Sequence, residues 1–273
     1  AFAGPPSTIL QPTFSEYADG CRLYNHTLSY NAYVQAKLRV DFRDASFFSA
    51  SGTKTQSGGA LFWLCNPNNP TGSVVPKDEL KAAIEAQPGT TFVIDQSYGF
   101  FTREPLLGAE EAVRYPNVLQ LHSMTKRYAM PGLRLGYITA HPRLLDRIRA
   151  KRMPWSVNAL AIEAGRYLCR HPETGPIDLE ALLAETQRLR ERLNSIPGLT
   201  AELTKTHFFL CRLADGSAAE LKEWLAREHG ILIRDASNFE GLDGRCFRIA
   251  TQTREENDLL SDAIRQYQKE ERR

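Results

Sequence analysis

Ser123-Met124-Thr125-Lys126, then Pro131-Gly132-Leu133-Arg134-Leu135-Gly136-Tyr137, is the stretch on which the reading of this chain turns. It sets one lysine among small hydroxyl side chains and returns an arginine on a glycine-flanked turn. Most lysines are solvated surface charges. A lysine that attacks an aldehyde needs a different setting, with its amine partly desolvated and near positive charge so that a useful fraction is neutral. Hydroxyls and a two-pronged arginine nearby suit a phosphate.

Three further segments point the same way. Asn66-Pro67-Asn68-Asn69-Pro70-Thr71-Gly72 follows the apolar run Ala60-Leu61-Phe62-Trp63-Leu64-Cys65. A strand running into such a turn carries polar side chains to the carboxyl edge of a sheet, where ligands bind in open α/β folds; an ordinary turn would use the same residues. Thr91-Phe92-Val93-Ile94-Asp95-Gln96-Ser97-Tyr98 is another apolar strand, ending in an acid with a phenol three residues on. A helix cap is the alternative for that acid. In Gly244-Arg245-Cys246-Phe247-Arg248-Ile249-Ala250 an arginine lies inside an apolar strand and requires an anionic partner, from the protein or from a ligand.

In this order, Asn69-Pro70-Thr71-Gly72, Asp95-x-x-Tyr98, Ser123-x-Thr125-Lys126, Gly132-Leu133-Arg134-x-Gly136 and Phe247-Arg248-Ile249 resemble the fold-type I pyridoxal-phosphate enzymes, specifically the class I/II aminotransferase family. The resemblance runs from roughly residue 10 to residue 260. Within the family, the Ser123–Tyr137 wording, Pro154-Trp155-Ser156-Val157-Asn158 and Ile233-Arg234-Asp235-Ala236-Ser237-Asn238-Phe239-Glu240-Gly241-Leu242 look like the threonine-phosphate decarboxylase branch. The histidinol-phosphate aminotransferases are the sister branch.

That resemblance implies pyridoxal 5'-phosphate as cofactor and a catalytic set of Lys126, Asp95 and Tyr98. Lys126 would bond the aldehyde and shuttle a proton at the reacting carbon, and Asp95 would face the pyridine nitrogen. Tyr98 and Asn69 would hydrogen-bond the phenolic oxygen, and Ser123, Thr125 and Arg134 would hold the phosphate. Phe14 would stack on the ring, a core phenylalanine being the alternative. Arg248 would clamp the substrate's α-carboxylate. Arg234 is the better candidate for a second cation on a phosphorylated amino acid, although Asp235 could simply pair with it; Arg245 reads as exposed. Asn158 would line the substrate pocket or cap a helix.

The implied reaction is decarboxylation of L-threonine O-3-phosphate to (R)-1-amino-2-propanol phosphate in cobalamin biosynthesis. An aminotransferase such as one acting on histidinol phosphate shares every one of these residues, and a catalytically silent homologue or fragment is the alternative of another class. A homodimer is implied by family analogy. The sequence departs from the pattern at His122, where many relatives carry arginine, and at Gln252, where the decarboxylase branch commonly does. It also begins too late to hold the family's N-terminal glycine turn, which helps bind the phosphate, and a tyrosine donated across the dimer; the expectation is either that this part of the protein is missing from the chain or that the phosphate cup is incomplete.

Composition agrees with a soluble enzyme. The 273 residues are 42% apolar and 24% charged, and 34 basic residues against 32 acidic leave +2, too little to argue for nucleic acid. Cys21, Cys65, Cys169, Cys211 and Cys246 form no CxxC pair; buried thiols in a reducing cytoplasm are expected. The six histidines lack metal-ligand spacing, and no apolar run reaches the roughly eighteen residues of a membrane span. No membrane, nucleic-acid or metal partner is expected.

Strands are predicted near 60–65, 91–95, 117–122 and 134–140, with helices near 77–87 and 142–151. This alternation predicts an α/β fold with one large domain over 1–172 and a mostly parallel sheet, which the resemblance implies is the cofactor-binding domain. A helix over 158–171 closes it. The remainder, 173–273, reads as a linker helix (177–195) and a small α+β C-terminal domain: strands 199–204 and 207–212, helix 217–228, strands 231–234 and 246–250, helix 253–271. The region 43–60, rich in Ser, Thr and Gly, reads as a loop.

Overall fold

The computed structural model describes residues 4–32 and 59–270, the side chain of Glu270 excepted. The loop expected over 43–60 lies outside the described residues, apart from its last two positions. The chain forms two compact units. The first comprises Ala1–Leu10, Glu16–Pro67 and Val74–Ile177, and the second Gln11–Ser15, Asn68–Ser73 and Asp178–Arg273. Two short segments thus go with the second unit that a single division at 172 would assign to the first.

The first unit is built on a six-stranded sheet of β1 (Ser7–Gln11), β2 (Leu28–Ala32), β3 (Ala60–Cys65), β4 (Thr90–Asp95), β5 (Val118–Ser123) and β6 (Gly136–Ala140), in the order β2-β1-β3-β4-β5-β6. β1, β3, β4 and β5 run parallel, with Cys65 beside Asp95 and Asp95 beside Leu121. The helices are α1 (Glu16–Leu23), α2 (Lys77–Ala86), α3 (Ala109–Ala112), α4 (Met124–Arg127), α5 (Pro142–Arg149) and α6 (Ala159–Arg170). Alternate strand residues serve opposite faces. Phe62, Leu64, Phe92 and Ile94 pack with Leu80, Ala83 and Ile84 of α2, whereas Val93 and Leu119 pack with Leu144 of α5. A sheet covered on both sides reads as continuous apolar runs, which is why β3, β4 and β5 fall within a residue or so of where the sequence puts them.

β6, which runs antiparallel to β5, is the exception that the mostly parallel sheet leaves room for. Between the two strands lie only one-turn α4 and a 3-10 turn at Pro131–Leu133. A parallel return needs a full crossover helix. β1, α1 and β2 were not foreseen. All five residues of β1 are buried, yet three are polar, so neither alternation nor an apolar run announces it. Ser7 bonds His26 Nδ1 (2.7 Å), Thr8 bonds Ser29 (2.8 Å), and Gln11 accepts the Thr13 N–H (2.9 Å).

The second unit carries an antiparallel sheet in the order β7 (Leu199–Ala201), β8 (Phe208–Leu213), β10 (Cys246–Ala250), β9 (Arg234–Asp235), with α7 (Leu179–Asn194), α8 (Ala218–His229) and α9 (Arg254–Glu270). Leu189, Leu193, Leu221, Leu225 and Ile264 of the helices pack on Phe209, Cys211, Phe247 and Ile249. Cys246 and Leu210 belong to a separate cluster with Ala236 and Phe239. By the same alternation Arg248 lies on the sheet face turned from α7–α9. β7 and β9 are shorter than expected. The Thr204 hydroxyl donates to the Phe208 carbonyl (2.6 Å), which turns the chain soon after β7, and left-handed Gly230 closes α8 before β9 pairs.

Candidate active site

The carboxyl ends of β4 and β5 gather the first unit's candidate residues. Asp95, the last residue of β4, is partly buried; its Oδ1 accepts the Ser97 N–H (2.8 Å) and its Oδ2 accepts the Tyr17 hydroxyl (2.6 Å). Tyr98 follows at the start of a 3-10 turn, buried against Phe101. Ser123 ends the neighbouring strand and caps α4, its Oγ accepting the Thr125 N–H (3.2 Å). Lys126 stands in that single turn with its Nζ 5.8 Å from the centre of the Tyr98 ring. Asp95 ends β4 and Lys126 follows the end of β5, strands about 4.8 Å apart by ordinary spacing, and Tyr98 stands beside the Lys126 amine. Lys126 is exposed, so the desolvation expected from sequence is not supplied here; the Tyr98 ring stands beside its amine.

The return turn differs from its sequence reading in where the backbone is unusual. Arg134, rather than a glycine, takes the left-handed conformation (φ 54°, ψ 49°), and Ala129 does so upstream (φ 50°). A non-glycine residue held there costs on the order of 1 kcal/mol or more. Arg134 is exposed and its Nη1 donates to the Pro131 carbonyl (3.1 Å). Gly136 is required for a separate reason: a Cβ would stand 2.6 Å from the His122 carbonyl oxygen across β5 and β6. His122 stacks on Tyr137 (4.5 Å, 17°), and burial pushes its imidazole below the usual histidine value while the Asp95 charge pulls it back. Asn158 caps α6, its Oδ1 accepting the Ala161 N–H (2.9 Å), and its Nδ2 donates to the Leu133 carbonyl (3.0 Å).

In the second unit, Asn68 ties the Asn/Pro turn to the Gln11–Ser15 segment. Its Oδ1 accepts the Thr13 hydroxyl (2.8 Å) and its Nδ2 donates to the Pro12 carbonyl (2.8 Å) and to Thr71 Oγ1 (2.9 Å). Gly72 has φ +70°, and a Cβ there would meet Thr204 Oγ1 at 2.0 Å. The next residue along from Asn68, buried Asn69, accepts a hydrogen bond from Arg248 Nη1. Arg248 also lies 5.3 Å from the Phe208 ring centre, and its Nε is buried with no hydrogen-bond partner. Phe14 is 41% exposed, which removes the core alternative. Arg234 does not pair with the Asp235 carboxylate: it donates to the Asp235 carbonyl (2.6 Å) and to Asn238 Oδ1 (2.9 Å). Arg245 is exposed and paired with Asp243 (2.8 Å).

Tyr17 was missed in the sequence. It lies in a short helix whose apolar face reads as packing alone, and only the tertiary structure brings its hydroxyl to Asp95. Among the described residues no cluster of three or more His, Cys, Asp or Glu is arranged to hold a metal, and no helix is long and apolar enough to cross a membrane. The donors at the first unit's sheet edge are a carboxylate, a phenol, a primary amine, two hydroxyls and a guanidinium. That set suits a pyridine aldehyde bearing a phosphate, the group the resemblance implies.

Comparison with known proteins agrees. The model of the family "Aminotransferase class I and II" matches residues 2–264. A Caldanaerobacter subterraneus protein, provisionally named a threonine-phosphate decarboxylase, is 32% identical over 274 residues, which is 97% of this chain and 71% of that protein. The histidinol-phosphate aminotransferase of Desulfitobacterium hafniense is 29% identical over 96% of this chain and 71% of its own length. Among solved structures, the L-threonine-O-3-phosphate decarboxylase of Porphyromonas gingivalis matches with a TM-score of 0.88 and 37% identity, over 97% of this chain and 77% of that one. The histidinol-phosphate aminotransferase of Sinorhizobium meliloti, solved with pyridoxal-5'-phosphate, shares the fold at a TM-score of 0.77 and 23% identity, over 99% and 72% of the two chains.

Proposed function

The chain belongs to the class I and II aminotransferase family, whose members depend on pyridoxal phosphate, and from that premise we propose that it is a lyase decarboxylating L-threonine O-3-phosphate to (R)-1-amino-2-propanol phosphate in cobalamin biosynthesis. The observation that carries this reading is the convergence of Asp95, Tyr98 and Lys126 on neighbouring strand ends. Bound pyridoxal phosphate supplies an electron sink conjugated to the substrate's α-carbon. Lys126 is the amine that would hold the cofactor's aldehyde and, once the substrate's own amine had displaced it, would carry a proton to that α-carbon. Asp95 holds a proton on the ring nitrogen. Tyr98 and the Asn69 amide would donate to the phenolic oxygen, Phe14 would stack on the ring, and Ser123, Thr125 and Arg134 would bind the phosphate. Arg248 binds the substrate's α-carboxylate through a bidentate fork. Arg234, which has no carboxylate partner among the described residues, takes the substrate's own phosphate.

Decarboxylation is favoured by the 37% identity to the Porphyromonas gingivalis enzyme. Transamination is the second reading, supported by the 29% identity to a histidinol-phosphate aminotransferase. We further read the protein as a cytoplasmic homodimer, since Met153, Trp155 and Leu160 are 73%, 97% and 73% exposed on one continuous stretch.

The test begins with absorbance of the protein mixed with pyridoxal phosphate. The wild type gains a near-visible band and Lys126→Ala does not. Release of carbon dioxide from O-phosphothreonine with no 2-oxo acid present supports the lyase. Turnover of histidinol phosphate that requires a 2-oxo acid supports the aminotransferase and ends the lyase reading.

A further inference from the structure

We propose that Tyr17 is a positioning residue that sets the Asp95 carboxylate for the ring nitrogen it binds, an inference that rests on the cofactor reading above. Tyr17 lies on α1, 6% exposed, with its ring stacked on Trp63 (5.3 Å, 21°). Its hydroxyl donates to Asp95 Oδ2 at 2.6 Å, while the Ser97 N–H donates to Oδ1 at 2.8 Å. One donor on each oxygen fixes the carboxylate's rotation about its Cβ–Cγ bond. An ionised carboxylate offers about four lone-pair sites, so both oxygens keep capacity for a ligand N–H. A phenol wedged on an indole is a stiffer support than solvent.

The surroundings suit a permanent donor. Burial first, then Cys65 and the Asp95 charge, push the Tyr17 phenol well above its usual value, so it keeps its proton at any working pH. The titratable groups facing Asp95 are Tyr17 on α1, Cys65 on β3 and His122 on β5. Burial lowers His122, which leaves it uncharged at neutral pH. Asp95 forms no ion pair among the described residues, and its two oxygens take only the Tyr17 hydroxyl and the Ser97 N–H there. A carboxylate fixed in this way is what a protonated aromatic nitrogen requires.

The experiment compares wild type, Tyr17→Phe, Asp95→Asn and the double variant. Three quantities are measured: pyridoxal-phosphate affinity, the pH midpoint of the bound cofactor's near-visible band, and melting without cofactor. Tyr17→Phe keeps the ring on Trp63 and is expected to melt like the wild type. It should weaken the cofactor about tenfold, the scale of one hydrogen bond to a charged group. It should also raise the pH midpoint, because a looser hold on the ring proton removes positive charge near the Lys126 nitrogen. Asp95→Asn should weaken binding more, and adding Tyr17→Phe to it should change neither quantity further. Unchanged binding in Tyr17→Phe, or losses that simply add, would overturn the proposal and reduce Tyr17 to packing while the wild type still binds. A wild type that binds no pyridoxal phosphate removes the cofactor reading and this inference together. If Tyr17→Phe fails to fold, 3-fluorotyrosine at position 17 keeps the packing and strengthens the donor. Binding should then tighten, and no change refutes the role.

Discussion

Two regions of the second unit treat arginine in opposite ways. On α7, Arg188 gives Nε and Nη2 to Glu185 (2.8 and 2.7 Å) and Nη1 to Asp258 (2.7 Å), and Arg192 reaches Asp262 (2.7 Å). On β10, Arg248 has an amide oxygen and an aromatic ring beside it, and no carboxylate among the described residues. Withdrawing a guanidinium from water is costly unless a counter-charge offsets it. The helix face supplies that counter-charge from within the fold, and among the described residues the sheet face does not. An arginine of the first kind is finished when the chain folds. On the function proposed above, Arg248, of the second kind, takes its anion from the substrate.

The sharpest way to break this contrast is Arg248→Ala. Losing a desolvated bidentate partner of a carboxylate is expected to lower kcat/KM for the amino-acid substrate on the order of 10²–10³-fold, with little change in melting. Arg248→Lys should recover only a part, because an ammonium lacks the planar fork. If melting falls instead and turnover holds, Arg248 belongs with Arg188.

Gly72→Ala should act through the same side of the sheet. The positive φ disfavours any side chain, and the added carbon would collide with Thr204 and the Phe208 carbonyl. We expect a loss of about 2–3 kcal/mol in denaturant unfolding. Because the neighbouring turn presents Asn69 to Arg248, substrate affinity should weaken along with stability. An alanine variant as stable as the wild type would show that the turn shifts freely, and that Asn69 is not held as described.

What could be read from the sequence follows the same division. Asp95, Tyr98, Lys126 and Arg248 are conspicuous because polar groups closing or interrupting apolar runs have no local excuse. β3, β4 and β10 announce themselves through those runs. β1 hides because Ser7, Thr8 and Gln11 are satisfied by partners that only the folded chain supplies. β6 shows its strand character but not its direction, which depends on how little chain separates it from β5. Arg234 looked pairable with Asp235 by proximity in sequence, yet the Asp235 carboxylate turns to the Ser237 N–H (2.8 Å). Tyr17 is the clearest omission, since a tyrosine on a buried helix face carries no sequence mark of the acid it meets.

Arg188→Ala sharpens the other half of the comparison. Arg188 is 25% exposed, and its partners Glu185 and Asp258 are 17% and 37% exposed, so solvent weakens each pair. The expected loss is about 1 kcal/mol of stability with turnover unchanged, consistent with partly exposed ion pairs. A large loss of activity would mean that the helix face reaches the chemistry after all.

The smallest effect comes from Glu111 on α3, the first unit's version of a self-satisfied charge. Its carboxylate takes Lys77 Nζ (2.5 Å), Lys81 Nζ (3.4 Å) and the Gly108 N–H (3.3 Å). The Lys77 hydrogen bond chiefly holds the carboxyl down to about 2 from 4.5. A lowered folded value means that the unfolded chain binds the proton more tightly, so the stabilisation is complete above about pH 4.5 and is lost as pH falls through about 2. With the side chain 30% exposed, Glu111→Gln should cost only about 0.5–1 kcal/mol at neutral pH. Urea unfolding of both proteins at pH 7 and near pH 2 checks the sign: the two curves should separate at pH 7 and converge in acid. A gap that persists near pH 2 would assign the effect to the neutral hydrogen bond from Gly108. Glu111 would then stop being an example of charges that the fold completes by itself.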